Sequence, residues 1–222
     1  MEPRRIRVDM HTHCGYSFDS RTPLAEQAQA IRAAGLDAVC ATDHNTIEGA
    51  LRLREIADGF RVIVGEEIGS RDGEIIGLFL ERAVPADLSA EETISRIKEQ
   101  GGLVVVPHPF SPSRPQQLRR EALERLWPQI DALEVLNGRE TFPSDNGKAA
   151  AVARERRIPG TAGSDAHQAS EIGLAFAEVP DFATAEELRD ALRGGSVHRR
   201  STNVAADLLA RLGVGKGGRH GS

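Results

Sequence analysis

The sequence has few cysteines, few aromatics, no long apolar run and no block of positive charge, and each shortage excludes something. Only Cys14 and Cys40 occur among 222 residues. No disulfide framework can be built from them, and a reducing compartment, the cytoplasm, is the expectation. No stretch approaches the length of a membrane span, and the opening "MEPRRIR" lacks the apolar segment of a secretory signal. The net charge is -5, aromatic residues make up 4%, and the basic residues do not gather into one run. A basic, aromatic-lined groove for nucleic acid is therefore not expected, although a small basic pocket is compatible with this balance. No internal repeat is visible. The glycines of the tail "GVGKGGRHGS" neither follow a strand nor open a helix. This argues against a phosphate loop and predicts a single domain over 1–212 followed by a disordered tail over 213–222.

What is present is a regular alternation of strand and helix signals. "RRIRVDM" reads as a strand, and Thr22 with Pro23 should cap and start a helix that runs to Gly35. "DAVCAT" is a strand, "IEGALRLREIADG" a helix, and "RVIVGEEI" with "EIIGLFL" a hairpin about the turn "RDG". Ser89 and Glu92 form a capping box for the next helix. "LVVVPH", "DALEVLN", "GTAGSDAH" and "IGLAFAEV" read as further strands, with helices over 121–126, 147–156 and 185–192. The strands are apolar along their length, as expected where helices cover a sheet, and such an order predicts a parallel sheet, open or closed into a barrel.

The polar residues fall at the strand exits. His11 and His13 end the first strand and share a face, because side chains alternate with a period of two. Asp43 and His44 end the second, Glu66 and Glu67 the third, His108 a later one, then Asn137, then Asp165 and His167. In parallel α/β folds these ends open on one face, so residues distant in sequence converge there. Histidine mixed with carboxylate, without thiolate, suits zinc, manganese or iron in an open catalytic site rather than a closed structural zinc site. The donors outnumber what one ion can use, so two or three divalent ions sharing a carboxylate are expected, an arrangement suited to phosphoryl displacement by a metal-bridging hydroxide.

In their order, "DMHTHCGYSFDS", "ATDHNT", "GEEI", "PHPF" and "GSDAH" resemble the polymerase and histidinol phosphatase (PHP) superfamily, and in particular its small stand-alone metal-dependent phosphoesterases. The likeness runs from about Ile6 to Gly173. It implies an α/β fold, a distorted seven-stranded TIM-like β/α barrel, with a metal cluster at the carboxyl ends of the strands. By this resemblance His11, His13, Glu67 and Asp165 would hold the first ion. Glu67 would bridge to a second that also takes His108, and Asp19, His44 and His167 would hold the third. Many members carry histidine where this chain has Glu74; a carboxylate there can also ligate, but it favours harder ions.

Asp43 could orient a ligand from behind, Glu66 should face away from Glu67 and be structural, Cys14 should pack as a small hydrophobe, and His198 should be a surface residue. Arg114 and Arg139 lie just past rim strands, where a guanidinium can fork onto phosphate oxygens. The expected activity is hydrolysis of a small phosphate monoester, a phosphorylated metabolite or nucleotide, by the metal-bound hydroxide, with no membrane partner. Two alternatives stand beside it. One is cleavage at a nucleic-acid end, limited to short oligonucleotides. The other is amidohydrolase-type C–N hydrolysis, which is weakened because none of Lys98, Lys148 and Lys216 stands at a strand exit.

Overall fold

The computed structural model describes residues 4–200. The boundary expected at 212/213, the tail, Lys216 and His220 lie outside them. The strands are β1 (Arg5–Thr12), β2 (Ala38–Ala41), β3 (Arg61–Ser70), β4 (Gly73–Leu78), β5 (Leu103–Val106), β6 (Ala132–Asn137), β7 (Gly160–Gly163), β8 (Ala175–Pro180) and β9 (Ser196–Arg199). The helices are α1 (Leu24–Ala34), α2 (Glu48–Ile56), α3 (Ala90–Lys98), α4 (Arg120–Leu126), α5 (Pro143–Arg156) and α6 (Ala185–Arg193).

Among the described residues the strands form one sheet in the order β7-β6-β5-β4-β3-β2-β1-β8-β9. It curls until β7 meets the end of β1: Asp165 N donates to His11 O at 2.7 Å and His13 N to Ala166 O at 2.9 Å. The α/β barrel is therefore present: β1 to β7 form its wall, and β8 and β9 extend the sheet past β1, so that the sheet has nine strands where seven were expected. The sheet is also mixed rather than parallel, since β3–β4, β4–β5, β1–β8 and β8–β9 pair antiparallel. The β3–β4 hairpin reverses the chain without a crossover helix, so β4 runs against both of its neighbours.

Alternation along the strands sorts two apolar layers. Val104 and Val106 of β5 join Ile31, Leu53, Ile94 and Ile97 of the covering helices. Leu103 and Val105 join Ile63, Ile76 and Ala132 in the interior, together with Leu188 and Leu192 of α6. Burial of such side chains contributes about 1.5–3 kcal/mol each and is what holds the barrel wall in place under the site. The Ser89–Glu92 capping box is formed. Thr22 does not cap α1: Pro23 occupies that position without a side-chain cap, and the Thr22 hydroxyl instead donates to His167 O at 3.0 Å.

Two β-bulges face the site. On β1, Asp9 pairs with Val39 and Thr12 with Ala41, so β1 carries one residue more than β2. Ile6, Val8 and Met10 already point into the barrel, and strict alternation would turn His11 outward. The bulge re-aims it inward. A second bulge lies on β6, where Glu134 pairs with Thr161 and Leu136 with Ala162.

Candidate metal centre

The expected residues converge at the carboxyl ends of the strands. Glu67, on β3, is the hub. Its Oε2 lies 3.2 Å from His11 Nε2, 3.3 Å from His13 Nε2 and 3.3 Å from His44 Nδ1, while Oε1 lies 3.1 Å from His108 Nε2. Asp165 Oδ1 stands 3.4 Å from His13 Nε2 and 3.7 Å from His11 Nε2. Asp19 Oδ2 stands 2.9 Å from His167 Nε2 and 3.4 Å from His44 Nε2. Glu74 faces inward from β4, 3.7 Å from His44 Nδ1 and 3.8 Å from His108 Nε2. It is thus no surface hairpin residue, and it stands as near to His44 as to His108. Four overlapping groups have donor atoms close enough to hold an ion: His11–His13–Asp165, His11–Glu67–His108, His44–Glu67–Glu74 and His13–His44–His167. His108 and Asp165 both adopt positive φ, 28° and 54°, a conformation costly outside glycine and concentrated at functional sites.

The donor set fits divalent cations on electrostatic grounds. Burial disfavours the charged forms of His11 and His13, yet neighbouring carboxylates outweigh it: Glu67 and Asp165 hold His11 well above the ordinary histidine value, and hydrogen bonds to Asp165 and Glu67 push His13 up to about 9. Burial would raise Glu67 and Asp165, but the adjacent imidazoles, His11 first, hold both well below the usual carboxylate range. Burial, then repulsion from Glu67, pushes Glu74 up to about 8. Without a cation, this cluster gathers protons to balance its buried carboxylates. Burial lowers His44 and His167 instead.

Several residues that orient the donors were not legible beforehand. Glu134, buried on β6, faces His11 Nδ1 at 3.2 Å with one oxygen; the other accepts His108 N at 2.8 Å and Asn137 Nδ2 at 3.0 Å. Its signal in the sequence is a lone glutamate inside the apolar run "DALEVLN". Asp9, on β1, is buried and accepts Ser164 N and Gly173 N, each at 2.8 Å; burial pushes its carboxyl up to about 6. Glu66 does face away from Glu67: Oε2 accepts Val84 N at 2.8 Å and Oε1 is buried without a partner. Cys14 is buried, with its thiol hydrogen-bonded to Asp43 at 3.0 Å, and His198 stacks on Phe176 at the surface.

The two arginines differ. Arg114 reaches the cluster, with Nη1 2.5 Å from Asp165 Oδ2 and Nη2 3.3 Å from Asn137 Oδ1. Arg139 Nη1 donates to His167 Nδ1 at 2.6 Å and lines, with Asp19, Arg21, Thr22 and His167, an opening of about 480 Å³. Lys98 and Lys148 pair with Asp131 and Asp145, away from the cluster. Among the described residues no helix is long and apolar enough to cross a membrane.

Comparison with known proteins agrees with this geometry. The family model described as PHP domain matches residues 9–122, and the one described as PHP-associated matches 143–197. An uncharacterized protein of Methanocaldococcus jannaschii is 40% identical over 145 residues, 60% of this chain and 82% of the relative. Among solved structures, a two-domain protein of Bacteroides vulgatus containing a predicted PHP-like metal-dependent phosphoesterase superposes with a TM-score of 0.75 at 20% identity; the match covers 89% of this chain and 66% of that one. Endonuclease Q, solved with a 27-mer duplex carrying an abasic lesion at its active site, superposes with a TM-score of 0.65 at 20% identity, over 86% of this chain and 57% of that one. With the family model spanning the strands that carry most of the cluster, the chain belongs to the PHP domain family.

Proposed function

We propose that this protein is a metal-dependent phosphoesterase acting on small phosphate monoesters, and that Glu67 is the bridging ligand of a cluster of two or three ions. The observation that carries the reading is the position of Glu67, whose Oε2 meets His11, His13 and His44 while its Oε1 meets His108. His11, His13 and Asp165 would hold the first ion with Glu67. His108 and Glu74 would complete the second, and Asp19, His44 and His167 the third. Bound ions would supply Lewis acidity, activating water and neutralising charge on the phosphate oxygens.

The chain's own residues do the positioning. Glu134 accepts a hydrogen bond from the Nδ1–H of His11, which leaves the Nε2 lone pair to face the cluster. Arg114 holds Asp165 in place and keeps further guanidinium N–H donors for a phosphate oxygen. Arg139, at the opening beside His167, would fork onto oxygens of the substrate's phosphate. An opening of this volume suits a small ester better than a nucleic-acid strand.

A panel of phosphorylated metabolites, mononucleotides and short oligonucleotides, assayed with manganese, iron and zinc, tests the reading. Turnover of small monoesters that requires added metal and varies little with salt is expected. Efficient cleavage of oligonucleotides with a steep salt dependence, and none of small esters, would favour the nucleic-acid reading instead.

A further inference from the structure

The loop between His13 and Asp19 contains a buried hydroxyl whose hydrogen-bonding capacity is fully used. Ser17 Oγ donates to Asp43 Oδ1 at 2.8 Å, stands 3.0 Å from His13 Nδ1, and accepts His44 N at 3.1 Å. Asp43 receives two more donors, Cys14 N on Oδ1 at 2.7 Å and the Cys14 thiol on Oδ2 at 3.0 Å. Ser17, Asp43 and Cys14 are all buried. Asp43 and Cys14 are packed tightly against α2: a Cβ on Gly49 would lie 2.1 Å from Asp43 Oδ2 and 2.8 Å from Cys14 Sγ.

Counting donors and acceptors fixes the direction of each bond. A hydroxyl has one proton and two lone pairs. Asp43 accepts from every neighbour named here, so the Ser17 proton goes to Asp43. Toward the imidazole Ser17 can then only accept, and His13 must carry its proton on Nδ1. The lone pair of His13 is thereby assigned to Nε2, the nitrogen that faces Glu67 and Asp165. The same oxygen pins the backbone of His44.

We propose that Ser17, held by Asp43, is a positioning residue that sets the His13 tautomer and ties His13 to His44, so that one hydroxyl aligns two of the donor groups. This rests on the metal-centre reading above. Neither residue would touch an ion, and loss of a partner of this kind typically lowers metal affinity about 10–100-fold.

The test uses the full chain loaded with zinc, comparing wild type with Ser17→Ala and Ser17→Thr, each first shown to be folded by circular dichroism. Affinity is read by competition with a chromophoric chelator. The hydrogen-bonded Nδ1–H of His13 is read as a downfield proton resonance, which a purely structural role would not move. Ser17→Ala should bind zinc about 10–100-fold more weakly and lose the resonance, and Ser17→Thr, which keeps the hydroxyl, should retain both. The proposal is overturned if Ser17→Ala keeps affinity and resonance, or if Ser17→Thr falls as far as Ser17→Ala. Wild type that binds no zinc would overturn the metal-centre reading itself, a distinct result.

Discussion

Glu66 and Glu67 are adjacent in sequence and occupy opposite faces of β3, and the outward one gives a clean energetic prediction. Burial in the apolar layer outweighs the hydrogen bond from Val84 N and raises the Glu66 carboxyl from 4.5 to about 7. The folded state therefore binds a proton that the unfolded chain releases between those values. The corresponding stability is fully present below pH 4.5 and is lost as pH rises toward 7. At about 1.4 kcal/mol per pH unit the loss amounts to about 3 kcal/mol. Glu66→Gln keeps an acceptor for Val84 N but cannot ionise. Urea unfolding of both proteins across pH 4–9 isolates this group as the difference between the two stability curves. The mutant should gain on the wild type by about 3 kcal/mol between the ends of the range, with metal content unchanged. A pH-independent difference would refute the reasoning and indicate that Glu66 stays charged, or reaches water, in the folded protein.

Metal binding should release protons: His13 is pushed up to about 9 and Glu74 to about 8, so at pH 7 loading of the first and second ions displaces about two protons from this pair. Calorimetry in buffers of different ionisation enthalpy reads the number, and no release would contradict the charge balance described for the site. The ion at Asp19, His44 and His167 should leave first under mild chelation, because Asp19 is the most exposed of the donors paired there; loss of all ions in a single step would count against it. Arg139→Ala should lower kcat/KM for a small monoester about ten- to a hundredfold, the value of a charge-assisted hydrogen bond, while metal content holds.

Much of the site was legible because the fold's logic is simple: strand ends share a face, so the order of histidines and carboxylates along the chain maps onto one rim. The face assignments of Glu66 and Glu67 followed from alternation alone. What was hidden depends on contacts distant in sequence. The β1 bulge at Asp9–Thr12 is a register relation with β2, and nothing in "VDMHTH" announces it. Glu134 looked like an isolated glutamate because its partners, His11 and His108, come from other strands. The role of Ser17 depends on Asp43, which reaches it from the end of another strand. Thr22 carried a cap signal, but the neighbouring His167 carbonyl took its hydroxyl instead. The strand in "IGLAFAEV" was legible as β8, but its antiparallel pairing with β1 and the added β9 are contacts distant in sequence, and the seven-stranded barrel implied by the resemblance did not include β9.

The most direct test of the account is the metal content of purified wild type and Glu67→Gln by elemental analysis. The substitution keeps the shape of the side chain and removes the charge that allows cations to sit close together. Wild type should carry two or three ions per chain, as a cluster built on a bridging carboxylate requires, and the mutant at least one fewer. Equal stoichiometry in the two proteins, with full activity in both, would contradict the bridging role of Glu67.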